Sequence, residues 1–186
     1  MDLDKTIKER HSVRRYTSKT PDWRKIMEVL DMARLAPLAG NIPTIKFLLV
    51  TEDDKISQLA DACQQDFVGT AKYILVVCTD YSQSVRSYDE RAYRYATQQA
   101  GAAIENLLLK LVDLGLATCW VGAFSDEQVK RILQIPEAVL VEALFPIGYE
   151  MPPKTKQRTK PALDNMLYFN TWKNKYMKAI KKPEAV

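Results

Sequence analysis

Residues 105–124 read ENLLLKLVDLGLATCWVGAF, an apolar helical run that stops at one glycine and resumes as a short extended stretch ending on another. Reading back from it, 95–115 is the longest regular unit of the chain, with Ala96, Ala100, Ala103, Leu107, Leu111 and Leu114 on one stripe at helical spacing. Ala102, Ile104, Leu108, Leu109 and Val112 widen that stripe over most of the circumference, the pattern of a central helix buried by neighbours on several sides. The spacing therefore predicts the core of the fold here, with apolar surface left over for a second subunit. Gly115 supplies the helix stop, and 118–121 reads as a short strand running into Gly122.

The segments around this unit alternate between helical and extended patterns, with no internal repeat and no low-complexity tract. A short helix is expected at 4–9. A second opens at Thr20-Pro21-Asp22, with Pro21 in its first turn and Ile26, Val29, Leu30 and Ala33 on one face, and Pro37 closes it. Strands are expected at 45–51, 73–79 and 139–147, and a helix at 53–62. Ser125-Asp126-Glu127-Gln128 has the form of a capping box and starts a helix at 125–133. The stretch 168–182 has too little apolar surface to fold alone and is expected to lie against a partner subunit.

Composition narrows the function classes. The 186 residues suit one domain, and 47% hydrophobic with 27% charged residues is an ordinary globular balance. No apolar run approaches the ~20 residues that span a bilayer. Met-Asp-Leu-Asp-Lys does not open like a signal peptide, so the expectation is a cytoplasmic protein. The net charge of +4 is a C-terminal feature: from Glu150 onward nine Lys or Arg face three acids. That basic stretch lacks interleaved aromatics or a nucleic-acid motif, which excludes nucleic acid as the expected partner. One histidine and three scattered cysteines make no zinc site, and nucleophile elbow, Walker loop and Gly-x-Gly-x-x-Gly patterns are absent.

RHSVRRY, residues 10–16, gathers three arginines, the only histidine and a serine. Alone it reads as surface charge around a helix end. Together with ARLAPLAGN ending the second helix, the central ENLLLKLVDLGLATCWVGAF and the closing RTKPALDNMLYFNTW, it resembles the FMN-dependent nitroreductase family, with the segments in the same order over roughly residues 3–177. The resemblance implies an α+β fold, nitroreductase-like, with a mainly antiparallel sheet flanked by helices. It implies one FMN-binding domain over 1–186 whose extension from about 162 packs on the partner of an intertwined homodimer with two interfacial FMN sites. The implied activity is an NAD(P)H-dependent oxidoreductase passing a hydride through flavin N5 to a nitroaromatic, quinone or related acceptor. A flavin-sequestering module and a dehalogenase or dehydrogenase on the same fold are the alternatives.

The resemblance also implies site residues. A flavin mononucleotide ends in a phosphate dianion, which guanidinium groups bind in a forked geometry, and Arg10 and Ser12 are its expected ligands. Arg14 is expected at the N1 and C2 carbonyl edge of the isoalloxazine, tuning its potential, and His11 contributes mainly backbone contacts with no proton-transfer role. Amides of Val121 and Gly122 are expected to donate to flavin N5 and O4, Gly122 allowing close approach for want of a Cβ. Pro37 and Leu38 would cover the ring of the other subunit's flavin and Asn41 would offer its amide. Leu38 stands where the family often has serine, and Ile42-Pro43-Thr44 lacks the family's Gln-Pro pair, so a glutamine contact to substrate is missing. Arg158, with Lys160 as the alternative, completes the phosphate site. No side chain is expected to be catalytic and no metal is implied. Residues 83–94, rich in Arg and Tyr, read either as a lid for an anionic aromatic substrate or as a solvated helix start.

Overall fold

The run YILVVCT forms the middle strand of the sheet in a computed structural model that describes residues 2–152 and 159–177. This strand, β2 (Tyr73–Thr79), pairs antiparallel with β1 (Ile45–Val50) on one side and with β4 (Leu140–Gly148) on the other. The short β3 (Ala117–Thr118) completes the order β1-β2-β4-β3. Every residue of β2 after Tyr73 is buried, because helices cover both faces of the sheet, and a strand buried on both faces is apolar throughout rather than alternating.

The two faces sort by parity. Leu75 and Val77 of β2 with Ala143, Phe145 and Ile147 of β4 face α2 (Trp23–Ala33) and α5 (Arg91–Asp113). Ile74, Val76 and Cys78 with Val141 and Leu144 face α3 (Asp53–Cys63) and α6 (Asp126–Leu133). Val141 and Ala143 would share a face in a regular strand. The register shifts between Val77 and Cys78, where Val77 opposes Ala143 and Cys78 opposes Val141, so Glu142 is a bulge residue and the side-chain alternation flips there.

Helix α5 is the core helix that its sequence predicts, with Ala96, Ala100, Ala103, Leu107 and Leu111 buried, but it begins at Arg91 rather than near 95. Its alanine half lets neighbours approach closely and its leucine half fills the space against α2. Ala102, Leu109 and Val112 stay half-buried in the single chain. The helix ends in a Schellman motif: Leu116 N–H donates to Leu111 O at 2.8 Å and Gly115 N–H to Val112 O at 3.0 Å. Gly115 sits at φ 71, and a Cβ there would meet nothing within 4 Å, so only backbone strain opposes a side chain. Gly115→Ala is expected to cost about 1 kcal/mol in equilibrium denaturation, and an unchanged midpoint would contradict this assignment of the stop.

Local corrections have local causes. Pro21 precedes α2 rather than lying in its first turn, since Asp22 is the N-cap and its carboxylate accepts from Arg24 N–H. Ser125 caps α6 by accepting from Gln128 N–H at 3.4 Å, but the Ser125 N–H donates to Ala62 O at 2.9 Å, so the reciprocal half of the capping box is replaced by a tie to α3. The expected strand at 118–121 is two pieces, β3 and an isolated bridge of Val121 to Leu144. Residues 83–94 span two helices, α4 (Ser82–Tyr88) and the first turn of α5, broken at Asp89 with φ 44 and ψ −125. Among the described residues no helix is long and apolar enough to cross a membrane.

The chain divides into two compact units, 1–155 and 156–186. Among the described residues of the second unit a 3-10 turn covers Leu163–Asn165. Phe169 N–H donates to Asn174 O, Asn174 Nδ2 donates back to Phe169 O, and the Tyr168 and Trp172 rings lie 4.8 Å apart. Trp172 is 79% and Tyr176 81% exposed, while Tyr168 and Phe169 are half-buried.

Candidate functional site

The segment 10–16 leaves α1 (Leu3–Glu9) at Arg10, the C-cap, and continues extended along the edge of the sheet. Val13 N–H donates to Thr118 O at 2.9 Å, Thr17 N–H to Tyr149 O, and Met151 N–H to Arg15 O, with Tyr16 bridging Glu150. Val13 and Tyr16 point inward. Tyr16 lies flat on Gly148, where a Cβ would come within 3.0 Å of its ring, and its hydroxyl donates to Val13 O at 2.7 Å. Burial pushes the Tyr16 phenol up, so it serves as a neutral donor that closes the strap on itself.

With Val13 and Tyr16 held inside, the polar residues of the strap are set at the surface. Arg10, His11 and Ser12 are half-buried, and Arg14 and Arg15 are exposed. Among the described residues neither Arg10 nor Arg14 has a carboxylate partner. His11 Nδ1 lies 2.7 Å from Glu9 O and Nε2 lies 3.1 Å from Glu150 Oε1. Both contacts tie its side chain to the strap and to Glu150.

The Val13–Thr118 bond brings RHSVRRY beside CWVGAF. Cys119 is buried between them; burial pushes its thiol up, and the Arg14 charge and a hydrogen bond with Ser12 oppose that rise. Burial also raises the other two thiols, Cys63 and Cys78, each to about 11. Burial disfavours the thiolate at all three, so none is a ready nucleophile near neutrality. Alkylation of the native chain at pH 7 is expected to be slow at all three cysteines and complete after denaturation; prompt native labelling of Cys119 would contradict its burial.

Beyond Cys119 one expectation is corrected. The Val121 N–H donates to Leu144 O at 3.0 Å and its carbonyl accepts from Leu144 N–H at 3.0 Å, so this amide is spent within the sheet. Gly122 is the remaining donor. It is exposed, its amide is bonded to no described residue, and an added Cβ would meet only Trp120 Nε1 at 4.0 Å. A flat surface is thus free to approach the backbone there.

The loop after α2 is built differently. Gly40 and Asn41 both adopt φ 57, the left-handed region that glycine and asparagine tolerate best. A Cβ at Gly40 would meet the Tyr88 hydroxyl, so the tip of this α4 side chain rests on the loop and would have to swing aside for a larger residue. From inside, Gln99 of α5 holds it: in the orientation that satisfies its amide, Nε2 donates to Thr44 Oγ1 and Ile42 O, and Oε1 accepts from Ala39 N–H. Pro37 and Asn41 are exposed and Leu38 half-buried. No hydrogen bond or ion pair among the described residues links this loop to 10–16 or 119–122. Lys160 is exposed in the second unit, and Arg158 lies outside the described residues.

A family model described as the nitroreductase family matches residues 7–67 and 59–149. The chain belongs to the nitroreductase family. A relative from Archaeoglobus fulgidus, provisionally named NADH dehydrogenase/NAD(P)H nitroreductase, is 30% identical over 150 residues, covering 78% of this chain and 83% of the relative. The iodotyrosine deiodinase of Thermotoga neapolitana is 22% identical over 191 residues, covering 89% of this chain and 96% of its own. The solved NADPH:FMN oxidoreductase of Vibrio harveyi, complexed with NAD+, shares the fold with a TM-score of 0.80 at 22% identity, over 92% of this chain and 78% of that one.

Nitroreductase-family proteins work with flavin, and the donor set of this nitroreductase fits one. Arg10 and Arg14 are guanidinium donors with no carboxylate partner among the described residues, and Gly122 offers an exposed backbone amide bonded to no described residue. Among the described residues no group of three or more His, Cys, Asp and Glu is placed to hold a metal ion. Sequence reasoning missed Gln99, although a glutamine within the buried alanine stripe of α5 is a readable signal. It also missed the contact of Tyr88 with Gly40, which depends on which segment folds against the loop.

Proposed function

We propose that this nitroreductase-family enzyme binds FMN and uses it to pass a hydride from NAD(P)H to a nitroaromatic, quinone or related acceptor. The observation that carries the reading is the strap 10–16 bonded to Thr118, which ties the segment bearing Arg10 and Arg14 to the segment that runs on to the open Gly122 backbone. When bound, the flavin supplies the redox chemistry by accepting and delivering the hydride at N5. The chain binds, orients and tunes. Arg10 and Ser12 hold the phosphate, and Arg14 faces the N1 and C2 carbonyl edge. Gly122 admits the ring close to its own amide donor. Pro37, Leu38 and Asn41, unlinked to the strap in their own chain, serve the second site of a homodimer. The half-buried Ala102, Leu109 and Val112 and the exposed tail aromatics give that dimer apolar surface to bury.

Steady-state oxidation of NADH and NADPH by FMN-loaded protein, with nitroaromatic and quinone acceptors varied, tests the reading. Parallel double-reciprocal lines from a particle of dimer mass in light scattering are expected. Absence of turnover with flavin bound would leave a sequestering module. A second reading, reductive dehalogenation, is favoured by the similarity to the Thermotoga neapolitana deiodinase along most of this chain; halide release from a halophenol faster than nitro or quinone reduction would select it.

A further inference from the structure

The turn between α3 and β2 lies outside every residue discussed so far, yet it touches both halves of the site. Arg14 Cζ stands 5.7 Å from the centroid of the Phe67 ring, within cation–π range. Phe67 is half-buried against Val13, Tyr16 and Ala71, the inner face of the strap that carries Arg14. Its backbone is fixed by Thr70, whose hydroxyl donates to Phe67 O at 2.7 Å, and by Val68, fully buried in the neighbouring cluster. Two residues earlier, Gln65 Nε2 donates to Ala123 O at 3.3 Å, directly after Gly122, and to Cys63 O at 3.4 Å. Ser125 N–H adds the bond to Ala62 O from the same end of α3.

We propose that Phe67 is a positioning residue for Arg14, and that the 65–70 turn braces Arg14 and the Gly122 loop against one rigid support. The proposal rests on the placement of Arg14 at the flavin edge given above. An exposed arginine otherwise distributes among many rotamers, and a charge helps a redox centre in proportion to the time it spends beside it. A ring contact at an exposed site biases that distribution by about 2- to 5-fold. Phe67 is thereby a determinant of flavin potential that never touches the flavin.

The test compares Phe67→Leu, which keeps the apolar anchor and deletes the ring, with Phe67→Trp, which keeps a ring. In FMN-saturated protein, Phe67→Leu is expected to shift the reduction equilibrium by about 2- to 5-fold, about 10–20 mV lower for a two-electron couple. Phe67→Trp should keep the wild-type potential, and FMN affinity should change less than about 2-fold in both. In the Arg14→Gln background Phe67→Leu should add no further shift, because the charge it positions is gone. An equal shift in both backgrounds would overturn the proposal. Nitrogen relaxation of the Arg14 side chain in the full chain before FMN loading supplies an independent arm. Arg14 Nε should be more restricted in the wild type and Phe67→Trp than in Phe67→Leu, and equal mobility would overturn the brace. If Arg14→Gln alone leaves the potential unchanged while this mobility difference stands, the assignment of Arg14 to the flavin fails and the brace survives.

Discussion

Arg10→Ala is expected to weaken FMN binding by about one to two orders of magnitude and to leave riboflavin binding almost unchanged. The magnitude follows from one charge-assisted hydrogen-bonded contact, worth roughly 1.5–3 kcal/mol, at ~1.4 kcal/mol per tenfold in affinity. The selectivity follows from riboflavin lacking the phosphate. Arg10 is half-buried at the C-cap of α1, where its backbone N–H donates to Thr6 O regardless of the side chain, so the substitution leaves the strap in place. Arg10→Lys should fall between the two, because a point charge replaces a fork. Fluorescence titration with both ligands reads the effect, and an equal loss for riboflavin would remove Arg10 from the phosphate.

Arg14→Gln has the second large effect, on potential rather than retention. Glutamine keeps most of the side-chain reach and deletes the charge. A cation at the N1 and C2 carbonyl edge favours the redox state with more negative charge there, so its loss lowers the midpoint potential. With ~30 mV per ~1.4 kcal/mol for a two-electron couple, losing one partly desolvated cation amounts to tens of millivolts. Reduction by NAD(P)H should slow more than FMN affinity falls, the reverse of the Arg10→Ala ranking. A potentiometric titration that overlays the wild type would leave Arg14 as a binding residue or a surface charge.

The difference in legibility between these residues and their supports has a physical basis. The core was readable because one helix carries its own periodicity: the alanine and leucine stripe of α5 and the Gly115 stop are local patterns, and the buried β2 is apolar at every position. The cation cluster at 10–14 was readable as composition, and the purpose proposed for it rests on resemblance. What depended on register was not. Glu142 becomes a bulge only because Cys78 and Val77 pair with Val141 and Ala143, and Val121 loses its amide to Leu144 only once that edge has formed. Gln99, Tyr88 and Phe67 act across 55, 48 and 53 positions of sequence on Thr44, Gly40 and Arg14, contacts that no local pattern announces.

The account stands most directly on one anaerobic experiment. The purified chain, loaded with FMN and freed of excess cofactor, is mixed with NADH or NADPH while the visible flavin band is followed, and a quinone is then added. The account predicts a retained flavin whose band bleaches with at least one nicotinamide and returns with the acceptor. A chain that retains no flavin, or a retained flavin whose band neither nicotinamide bleaches, would contradict it.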